Sequence, residues 1–299
     1  MGKKDLSNKL RKNGVSIIAL ILRIAVLVII GYIVLYPLFF MLSNAFKTSE
    51  SVFDASHEWL PVWLTLDNMK FVVKSMNYWD SLKQTFIIQI LSALIEIAVC
   101  AFIAYGFARF NFKGKGIASF LLILSLLIPI QMYSLSMSIN YRNLGIFNTP
   151  FTYWLPSLFG VGIRSGFIIF IYQQFFIGLP RELEDAAYVD GAGPIRTFFS
   201  IALPSSSVVI TTVSVLSLIW HWNEYYLAEL CFLQESRPLS VMIGNFSMIM
   251  SRLGIGGNVP MFRPYACCAC LLYIVIPLVF YMIVQKKFVK SIDRVGITG

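Results

Sequence analysis

Two charged residues stand out because each lies near the middle of a long apolar stretch. Glu96 falls within residues 86–108, and Arg164 falls within residues 151–177. A charge at the centre of a membrane costs roughly 2.5–3.5 kcal/mol on insertion scales, so each should face the protein interior or a water-filled cavity. Two hypotheses remain open. The residues form a structural ion pair between neighbouring helices, or Arg164 lines a polar path and binds hydroxyl or carboxylate groups there.

A run of aromatic and polar side chains forms a second candidate site. It comprises Trp220, Trp222, Asn223, Glu224, Tyr225 and Tyr226. Aromatic rings can stack on flat apolar faces while polar neighbours bind hydroxyl groups; an aromatic belt at the membrane interface is the equal alternative. Gln131 follows Pro129, which can open a helix and free backbone groups. We expect Gln131 to make an interhelical hydrogen bond, with a place in a cavity as the alternative.

Nothing in the sequence predicts catalysis by this chain. The phosphate-binding pattern GxxxxGK[ST] is absent, so any nucleotide would be bound by a partner. The two histidines, His57 and His221, lie far apart in the sequence. The cysteines Cys267, Cys268 and Cys270 are expected to be small apolar packing residues rather than metal ligands or a redox pair. We therefore expect no metal site and no bound cofactor.

The composition indicates what positions these side chains. Of 299 residues, 58% are hydrophobic and 13% are charged, whereas soluble domains contain about 45–50% apolar and about 25% charged residues. The mean hydropathy is +0.74. The chain is predicted to be an all-α integral membrane protein. Its net charge of +9 fits basic residues collected on the cytoplasmic side better than nucleic-acid binding.

Six stretches are apolar and long enough to cross a bilayer as helices, which takes about 20 residues. They are residues 24–46, 86–108, 117–139, 151–177, 206–226 and 265–285. The first is too long for a cleaved signal peptide, and no small-residue cleavage site follows it. No linker or internal repeat is visible, so residues 24–285 are predicted to form one membrane domain.

Basic residues cluster on one side of these spans. With the N-terminus inside, the cytoplasmic segments hold Lys3, Lys4, Lys9, Arg11, Lys12, Arg23, Arg109, Lys113, Lys115, Arg181, Arg196, Lys286, Lys287, Lys290 and Arg294. The outer segments are longer in total and hold fewer, which places both termini in the cytoplasm. Residues 1–23 are then a basic N-terminus, and residues 286–299 are a cytoplasmic tail.

The polar segment at residues 180–204 lies in the cytoplasm in this topology. Pro180 suits the first turn of a helix, and the acidic residues after it suit the helix dipole. Gly191 should end that helix in a conformation with positive φ, and Pro194 can begin a second one. The spacing predicts two short helices along the membrane surface, with an ordinary interfacial loop as the alternative.

The spacing within this segment resembles the EAA loop of ATP-binding cassette (ABC) importer permeases. That pattern is Glu-Ala-Ala, three residues, Gly, nine residues, Ile, any residue and Leu-Pro. The matching positions are Asp185, Ala186, Ala187, Gly191, Ile201, Leu203 and Pro204. Asp185 replaces the usual glutamate, which keeps the charge but shortens the reach of the side chain.

Other stretches resemble carbohydrate importers of the maltose-permease type: "YPLFFMLSNAFKTSESVF", "TLDNMKFVV", "AYGFARFNFKGK" and "WNEYYLAEL". The ending, "KKFVKSIDRVGITG", resembles that of their MalG-like subunit.

The resemblance implies six transmembrane helices, with a cytoplasmic two-helix EAA loop between the fourth and the fifth. It also implies a prokaryotic cell membrane, a homologous second permease as heterodimer partner, two ATPase subunits that use ATP and Mg²⁺, and an extracellular solute-binding protein. The ATPase-docking residues would be Glu182, Glu184, Asp185, Ala186, Ala187, Asp190, Gly191, Ala192, Ile201, Leu203 and Pro204.

The function implied by the resemblance is sugar import, with oligosaccharides as the first expectation and this chain as half of the path. The candidate path residues are Glu96, Gln131, Arg164, Trp222, Asn223 and Glu224. One alternative is import of a glycerol phosphoester, a polyol or an acidic sugar; another is an ion-coupled secondary transporter that uses Glu96.

The external stretch 228–264 contains Gly254, Gly256 and Gly257. It is predicted to be flexible and to serve as a lid, a docking surface for the binding protein or a passive loop.

Overall fold

The computed structural model describes residues 3–53, 63–233, 237–256 and 259–296. Throughout these ranges the regular structure is helical, apart from one isolated antiparallel bridge between Lys47 and Leu64. The helices are α1 (Lys3–Ala45), α2 (Ser49–Phe53), α3 (Asp67–Ser75), α4 (Tyr78–Arg109), α5 (Lys115–Leu127), α6 (Ile130–Asn143), α7 (Phe151–Leu158), α8 (Ser165–Gly178), α9 (Glu182–Val189), α10 (Pro194–Ser205), α11 (Ser207–Trp222), α12 (Tyr226–Cys231), α13 (Leu239–Gly244), α14 (Phe246–Arg252) and α15 (Phe262–Gly296). The predicted all-α class is confirmed.

Several of these helices are suited to crossing a membrane. Three are long and apolar enough by themselves: Ile17–Ala45 within α1, α4, and Phe262–Lys286 within α15. Two more candidates are bent pairs, α5 with α6 at 105° and α10 with α11 at 79°. The apolar helix α8 has 14 residues, so its length of about 21 Å is less than the roughly 30 Å of the hydrocarbon core. The count of six spans stays a prediction.

The prediction of one continuous helix at residues 151–177 is wrong. The chain forms α7, leaves the helix after Leu158 and resumes at Ser165 with α8. Gly160 and Arg164 have φ values of 66° and 58°, which a right-handed helix cannot contain. Arg164 therefore lies at the start of a helix instead of in the middle of one.

Pro129, which can open a helix, interrupts the predicted span at residues 117–139. Helix α5 ends at Leu127, and Ile128 is extended (φ −90°, ψ 112°), because the residue before a proline is disfavoured in the helical region. Helix α6 then begins at Ile130 in a new direction. Gln131 consequently lies in the first turn of a helix, where backbone N–H groups have no partner within the helix.

The chain divides into two compact units. The first comprises residues up to Phe71 and Ile255–Leu271. Within it, the side-chain amide of Asn68 donates to the carbonyl oxygens of Ala45 and Lys47, at 3.0 and 2.7 Å. Apolar side chains of α1 are mostly exposed from residue 17 to residue 39. Such a helix surface suits a lipid environment, because lipid tails are as apolar as the exposed side chains.

The second unit comprises residues Val72–Gly254 and Leu272–Gly299. Its main buried cluster joins α4, α8 and α11, and includes Cys100, Ala104, Ile168, Tyr172 and Val213. Small residues on α4, such as Ala93 and Ala104, are fully buried and let neighbouring backbones approach closely. Because α4 packs against both other helices, polar groups on α4 can fix the positions of both.

The flexible stretch expected at residues 228–264 is largely folded, so that prediction is wrong for most of it. Helices α12, α13 and α14 occupy residues between 226 and 252, and Leu239 and Val241 are fully buried. The carboxylate of Glu229 accepts hydrogen bonds from Arg237 at 3.0 Å and Asn245 at 2.7 Å. Gly257 lies outside the described residues. The lid and docking roles stay predictions.

Candidate substrate cavity and coupling segment

A cavity of about 590 Å³ lies where two helix breaks meet the end of a third helix. Its walls come from the break between α5 and α6, the start of α8, and the last turn of α11 with the residues after it. The polar and aromatic lining residues are Ser125, Gln131, Tyr133, Arg164, Trp220, Asn223, Glu224, Tyr225 and Tyr226. This volume lies within the range of about 300–1,000 Å³ that is typical of ligand pockets.

Arg164 contributes the cationic group of this cavity. Its guanidinium carbon lies 4.7 Å from the ring centroid of Trp220, a favourable cation–π distance. Trp220 is held in turn by an edge-on contact with Phe167, whose ring centroid is 5.5 Å away. Arg164 is exposed, and it forms no ion pair with a carboxylate in the part of the chain that the structure describes. Its N–H donors can therefore bind a solute.

The hypothesis of an ion pair between Glu96 and Arg164 is wrong. Glu96 is fully buried on α4, and its carboxyl group accepts hydrogen bonds from the hydroxyl groups of Ser165 and Ser217, the latter at 3.1 Å. Nδ1 of His221 lies 3.7 Å from the same carboxyl group. The break before α8 directs Ser165 toward Glu96, whereas the preceding residue, Arg164, lines the cavity. Glu96 itself lies behind the cavity wall and does not line it.

The remaining candidate path residues divide between lining and support. Gln131 is exposed and lines the cavity, and its side chain makes no interhelical hydrogen bond to the described residues, contrary to our expectation. Asn223 is also exposed on the wall, where its oxygen accepts a hydrogen bond from Tyr273 at 3.3 Å. Trp222 is buried and packs against Tyr273, with ring centroids 5.5 Å apart. Trp222 thus supports the wall from behind.

Glu224 has little capacity left for a solute. Its carboxyl group accepts from the backbone N–H groups of Leu227 and Ala228, at 2.9 and 3.2 Å, and from the hydroxyl group of Tyr153. The side chain therefore caps α12, since the first N–H groups of a helix need acceptors outside it. The carbonyl oxygen of Glu224 also accepts from Gln89 at 2.8 Å. These bonds anchor the chain after α11 to α4 and α12.

The segment at residues 180–204 contains both predicted short helices, α9 and the start of α10. Between them Gly191 has φ 79°, as expected. Its N–H donates to the carbonyl oxygen of Tyr188 at 3.0 Å, and the N–H of Ala192 donates to Ala187 at 2.9 Å. This pair of bonds is the Schellman motif, which ends helices with a residue in the left-handed conformation. The position of the segment at a membrane surface stays a prediction.

Glu184 is not free to dock on another protein. Its carboxylate accepts from Nε of Arg109 at 2.8 Å and from the hydroxyl group of Tyr105 at 3.4 Å, and the Arg109 and Glu184 side chains are 6% and 5% exposed. Arg109 also donates to the carbonyl oxygen of Leu179 at 2.7 Å. Glu184 therefore ties α9 to the end of α4. Ala187, one turn further along α9, is buried as well.

Other residues predicted to dock remain accessible. Glu182, Asp185, Ala186, Asp190, Gly191 and Pro204 are exposed, whereas Ala192, Ile201 and Leu203 are partly covered. Large apolar side chains lie among them: Val189 is 88% exposed, Ile195 63% and Phe199 59%. An exposed surface that mixes carboxylates with large apolar side chains is typical of a protein interaction site.

The described residues contain no group of three or more His, Cys, Asp or Glu that could hold a metal ion. His57 lies outside those residues. His221 is fully buried beside Ser217, whose carbonyl oxygen is 2.9 Å from Nδ1. Cys267 and Cys268 are buried free thiols. The expectation of no cofactor stays a prediction.

Several residues of the two sites were not identifiable from the sequence. Ser165 and Ser217 resemble any serines in an apolar helix, and only their shared contact with Glu96 distinguishes them. The sequence indicates only that Arg109 lies on the basic side of the spans; its distance along the chain from Glu184 gives no signal that the two residues pair. A signal for the break at Arg164 did exist: Gly160 and Gly162 follow Pro156 closely, and such clusters interrupt helices.

Long apolar helices around a polar cavity are consistent with a membrane permease. Comparison with known proteins identifies the family. Residues 97–294 match the family described as binding-protein-dependent transport system inner membrane component. The chain belongs to that family, the membrane components of ABC importers. Such a component works with a partner ATPase, which hydrolyses ATP, and with a solute-binding protein; it is not itself an enzyme.

Individual relatives agree with this assignment. The chain is 32% identical over 212 residues to the probable ABC transporter permease protein YurM of Bacillus subtilis (strain 168), covering 70% of this chain and 68% of YurM. It is 28% identical over 270 residues to AmyC of Thermoanaerobacterium thermosulfurigenes, a probable starch degradation products transport system permease, covering 89% and 92%.

A solved structure shares the fold. It is the crystal structure of a bacterial ABC transporter involved in the import of the acidic polysaccharide alginate. The TM-score is 0.75 at 20% sequence identity, and the match covers 91% of this chain and 96% of that chain.

Proposed function

We propose that the chain forms half of the translocation path of an ATP-driven importer of sugars, with oligosaccharides as the preferred substrates. The observation that carries the proposal is the cavity of about 590 Å³, in which Arg164 lies over Trp220 beside Gln131 and Asn223. Aromatic rings stack on the C–H faces of sugars, and amide and guanidinium groups bind hydroxyl groups. The likeness to AmyC supports a carbohydrate substrate.

The second part of the proposal is that α9 and α10 form the EAA element that couples the chain to its ATPase. The exposed residues Asp185, Ala186 and Val189 provide an accessible docking surface beside the turn at Gly191. The complete importer then contains this chain, a homologous second permease, two ATPase subunits that bind ATP and Mg²⁺, and an extracellular binding protein. In this arrangement the chain has six spans, and α9, α10 and both termini are cytoplasmic.

The test is transport by the complete importer reconstituted in lipid vesicles. The probes are radiolabelled maltotriose, xylotriose, digalacturonate and glycerol 3-phosphate, and the quantity measured is solute imported per ATP hydrolysed. Arg164→Met should lower this ratio for the best oligosaccharide by about tenfold, the equivalent of one hydrogen bond to a charged group. Trp220→Ala should lower it as well, because it removes the aromatic face and the cation–π contact with Arg164. ATP hydrolysis should continue, because neither residue lies in α9 or α10.

Arg142→Met is the matched control. Arg142 also lies over an aromatic ring, with its guanidinium carbon 4.0 Å from the centroid of Phe147, but it does not line the cavity. Its replacement should leave the ratio unchanged. If Arg164→Met behaves like Arg142→Met for every probe, the cavity is not the substrate path.

Import of an acidic solute is the second candidate function, and the Arg164 side chain is the observation that favours it. Among the described residues no carboxylate neutralises this cation, and a guanidinium group binds a carboxylate or phosphate through two parallel hydrogen bonds. In this case wild-type importer should take up digalacturonate or glycerol 3-phosphate faster than maltotriose. Arg164→Met should then reduce uptake of the anionic probe far more than uptake of the neutral one.

A further inference from the structure

The carboxyl group of Glu96 connects two helices, α8 and α11, that both contribute to the cavity wall. It accepts one hydrogen bond from Ser165, the first residue of α8, and another from Ser217 in α11, at 3.1 Å. All three side chains are at most 2% exposed. A single group on α4 thus holds α8 and α11 at a fixed separation.

Both serines lie next to the residues that line the cavity. Ser165 follows Arg164 directly, and Ser217 precedes Trp220 by three residues, which places the two on the same side of α11. The Arg164 guanidinium carbon and the Trp220 ring centroid are 4.7 Å apart. Any change in the Glu96 contacts would therefore move the two partners of this cation–π pair relative to each other.

The backbone around Ser165 needs such support. Arg164 has φ 58° and ψ 24°, a left-handed conformation that side-chain-bearing residues adopt at a cost and that persists when surrounding contacts hold it. Gly162 is packed so tightly that a Cβ atom there would lie 2.8 Å from Oε1 of Glu96 and 2.7 Å from Oγ of Ser157. The turn that carries Arg164 is consequently built around the Glu96 carboxyl group.

We propose that Glu96 is a positioning residue for the substrate cavity: it holds the Arg164–Trp220 wall in place through Ser165 and Ser217 and does not contact the solute. This inference rests on the proposed function, because it assigns a role to Glu96 in the same cavity. It replaces the two roles expected from the sequence, a partner for Arg164 and a group in the path. It predicts that Glu96 acts only through the wall residues.

The test uses the reconstituted importer and the probe oligosaccharide that wild type imports fastest. Glu96→Leu removes both acceptors and should lower solute imported per ATP about tenfold. Glu96→Gln keeps one acceptor oxygen and can donate to Ser217, so it should retain most of the ratio. In a background that combines Arg164→Met with Trp220→Ala, Glu96→Leu should cause almost no further loss, because both wall residues through which it acts are already gone. Non-additivity of this kind identifies residues that work as a unit.

Ser165→Ala and Ser217→Ala provide the same comparison with smaller changes, and they decide the matter if Glu96→Leu prevents assembly. Each should lower the ratio in the wild-type background and have almost no effect in the background that combines Arg164→Met with Trp220→Ala. The proposal is overturned if the losses multiply in these combined variants, or if Glu96→Gln is as damaging as Glu96→Leu. A different result, an unchanged ratio in Arg164→Met alone, would instead overturn the proposed function of the cavity.

Discussion

Helix α4 takes part in two buried carboxyl sites, which differ in the groups that surround the carboxyl oxygens. Near the middle of the helix, Glu96 is surrounded by the hydroxyl groups of Ser165 and Ser217. At its end, Arg109 forms a direct ion pair with Glu184 of α9, with Nε and Oε1 2.8 Å apart. One carboxyl group thus stabilises a cavity wall through neutral donors, and the other stabilises the proposed coupling segment through an opposite charge.

The difference shows what each region requires. A neutral hydroxyl donor can tie two helices together without adding a second charge to the apolar interior, where each charge is costly. At the end of α4 the oppositely charged pair ties the short helix α9 to α4 through a buried contact. We expect substitutions at the second site to destabilise the protein most, because removal of one partner leaves an unpaired buried charge.

The largest effect is expected for Glu184→Ala. It leaves the guanidinium group of Arg109 buried without its carboxylate, a loss of about 3–5 kcal/mol in systems of this kind. The thermal midpoint of the permease, purified in detergent without the ATPase, should fall by many degrees. Asp185→Ala is the matched control, because Asp185 is exposed on the next position of the same helix and its loss should leave the midpoint unchanged. An equal midpoint for the two variants would remove the distinction between the two carboxyl sites.

A smaller effect is expected for Gly162→Ala, which tests the packing around Glu96. The added methyl group would lie 2.8 Å from Oε1 of Glu96 and 3.3 Å from Cα of Ser157, and overpacking of this kind costs about 1–3 kcal/mol. Gly106→Ala in the same helix as Glu96 is the control. A Cβ atom there meets nothing within 4 Å, and alanine should stabilise the helix slightly. Equal thermal midpoints for these two variants would show that the turn is not built tightly around Glu96.

The smallest effect is expected for replacement of the cysteines, which are buried or partly buried neutral groups and therefore serve as a comparison for the two buried carboxyl groups. Cys267 and Cys268 are buried, and Sγ of Cys268 lies 3.2 Å from the carbonyl oxygen of Ala45. Conversion of both, together with Cys270, to alanine removes only small groups and weak donors. Solute uptake should stay close to wild type. Abolished uptake with intact assembly would assign these thiols a role that neither carboxyl site shares.

Much of the helical architecture was predictable, because long apolar stretches and proline breaks act locally. The bend before Gln131 followed from Pro129, and the turn after α9 followed from Gly191. The break before Arg164 was missed because an apolar stretch that contains Gly160 and Gly162 still has the hydropathy of a span. Periodicity alone could not settle whether that stretch was one helix or two.

The partners of charged residues were the least predictable part. Glu96 and Arg164 were matched because both are charges in apolar stretches, yet the actual partners of Glu96 are serines far along the chain. Glu184 was assigned to docking with its neighbours, although it lies three residues before buried Ala187 and therefore on the same inward side of α9. That spacing was a usable signal; the identity of Arg109 as partner was not available without the fold.

The most direct test of the central claim, that the segment around Gly191 couples the permease to its ATPase, compares three variants of that turn. Gly191 has φ 79°, whereas Gly193 has φ −80° and ψ 170°, and neither position is crowded. Valine is strained only at the first position, and asparagine tolerates the left-handed conformation. Gly191→Val should therefore lose co-purification of the ATPase and sugar-stimulated ATP hydrolysis, while Gly193→Val and Gly191→Asn keep both. Full docking and wild-type stimulated hydrolysis in Gly191→Val would contradict the account.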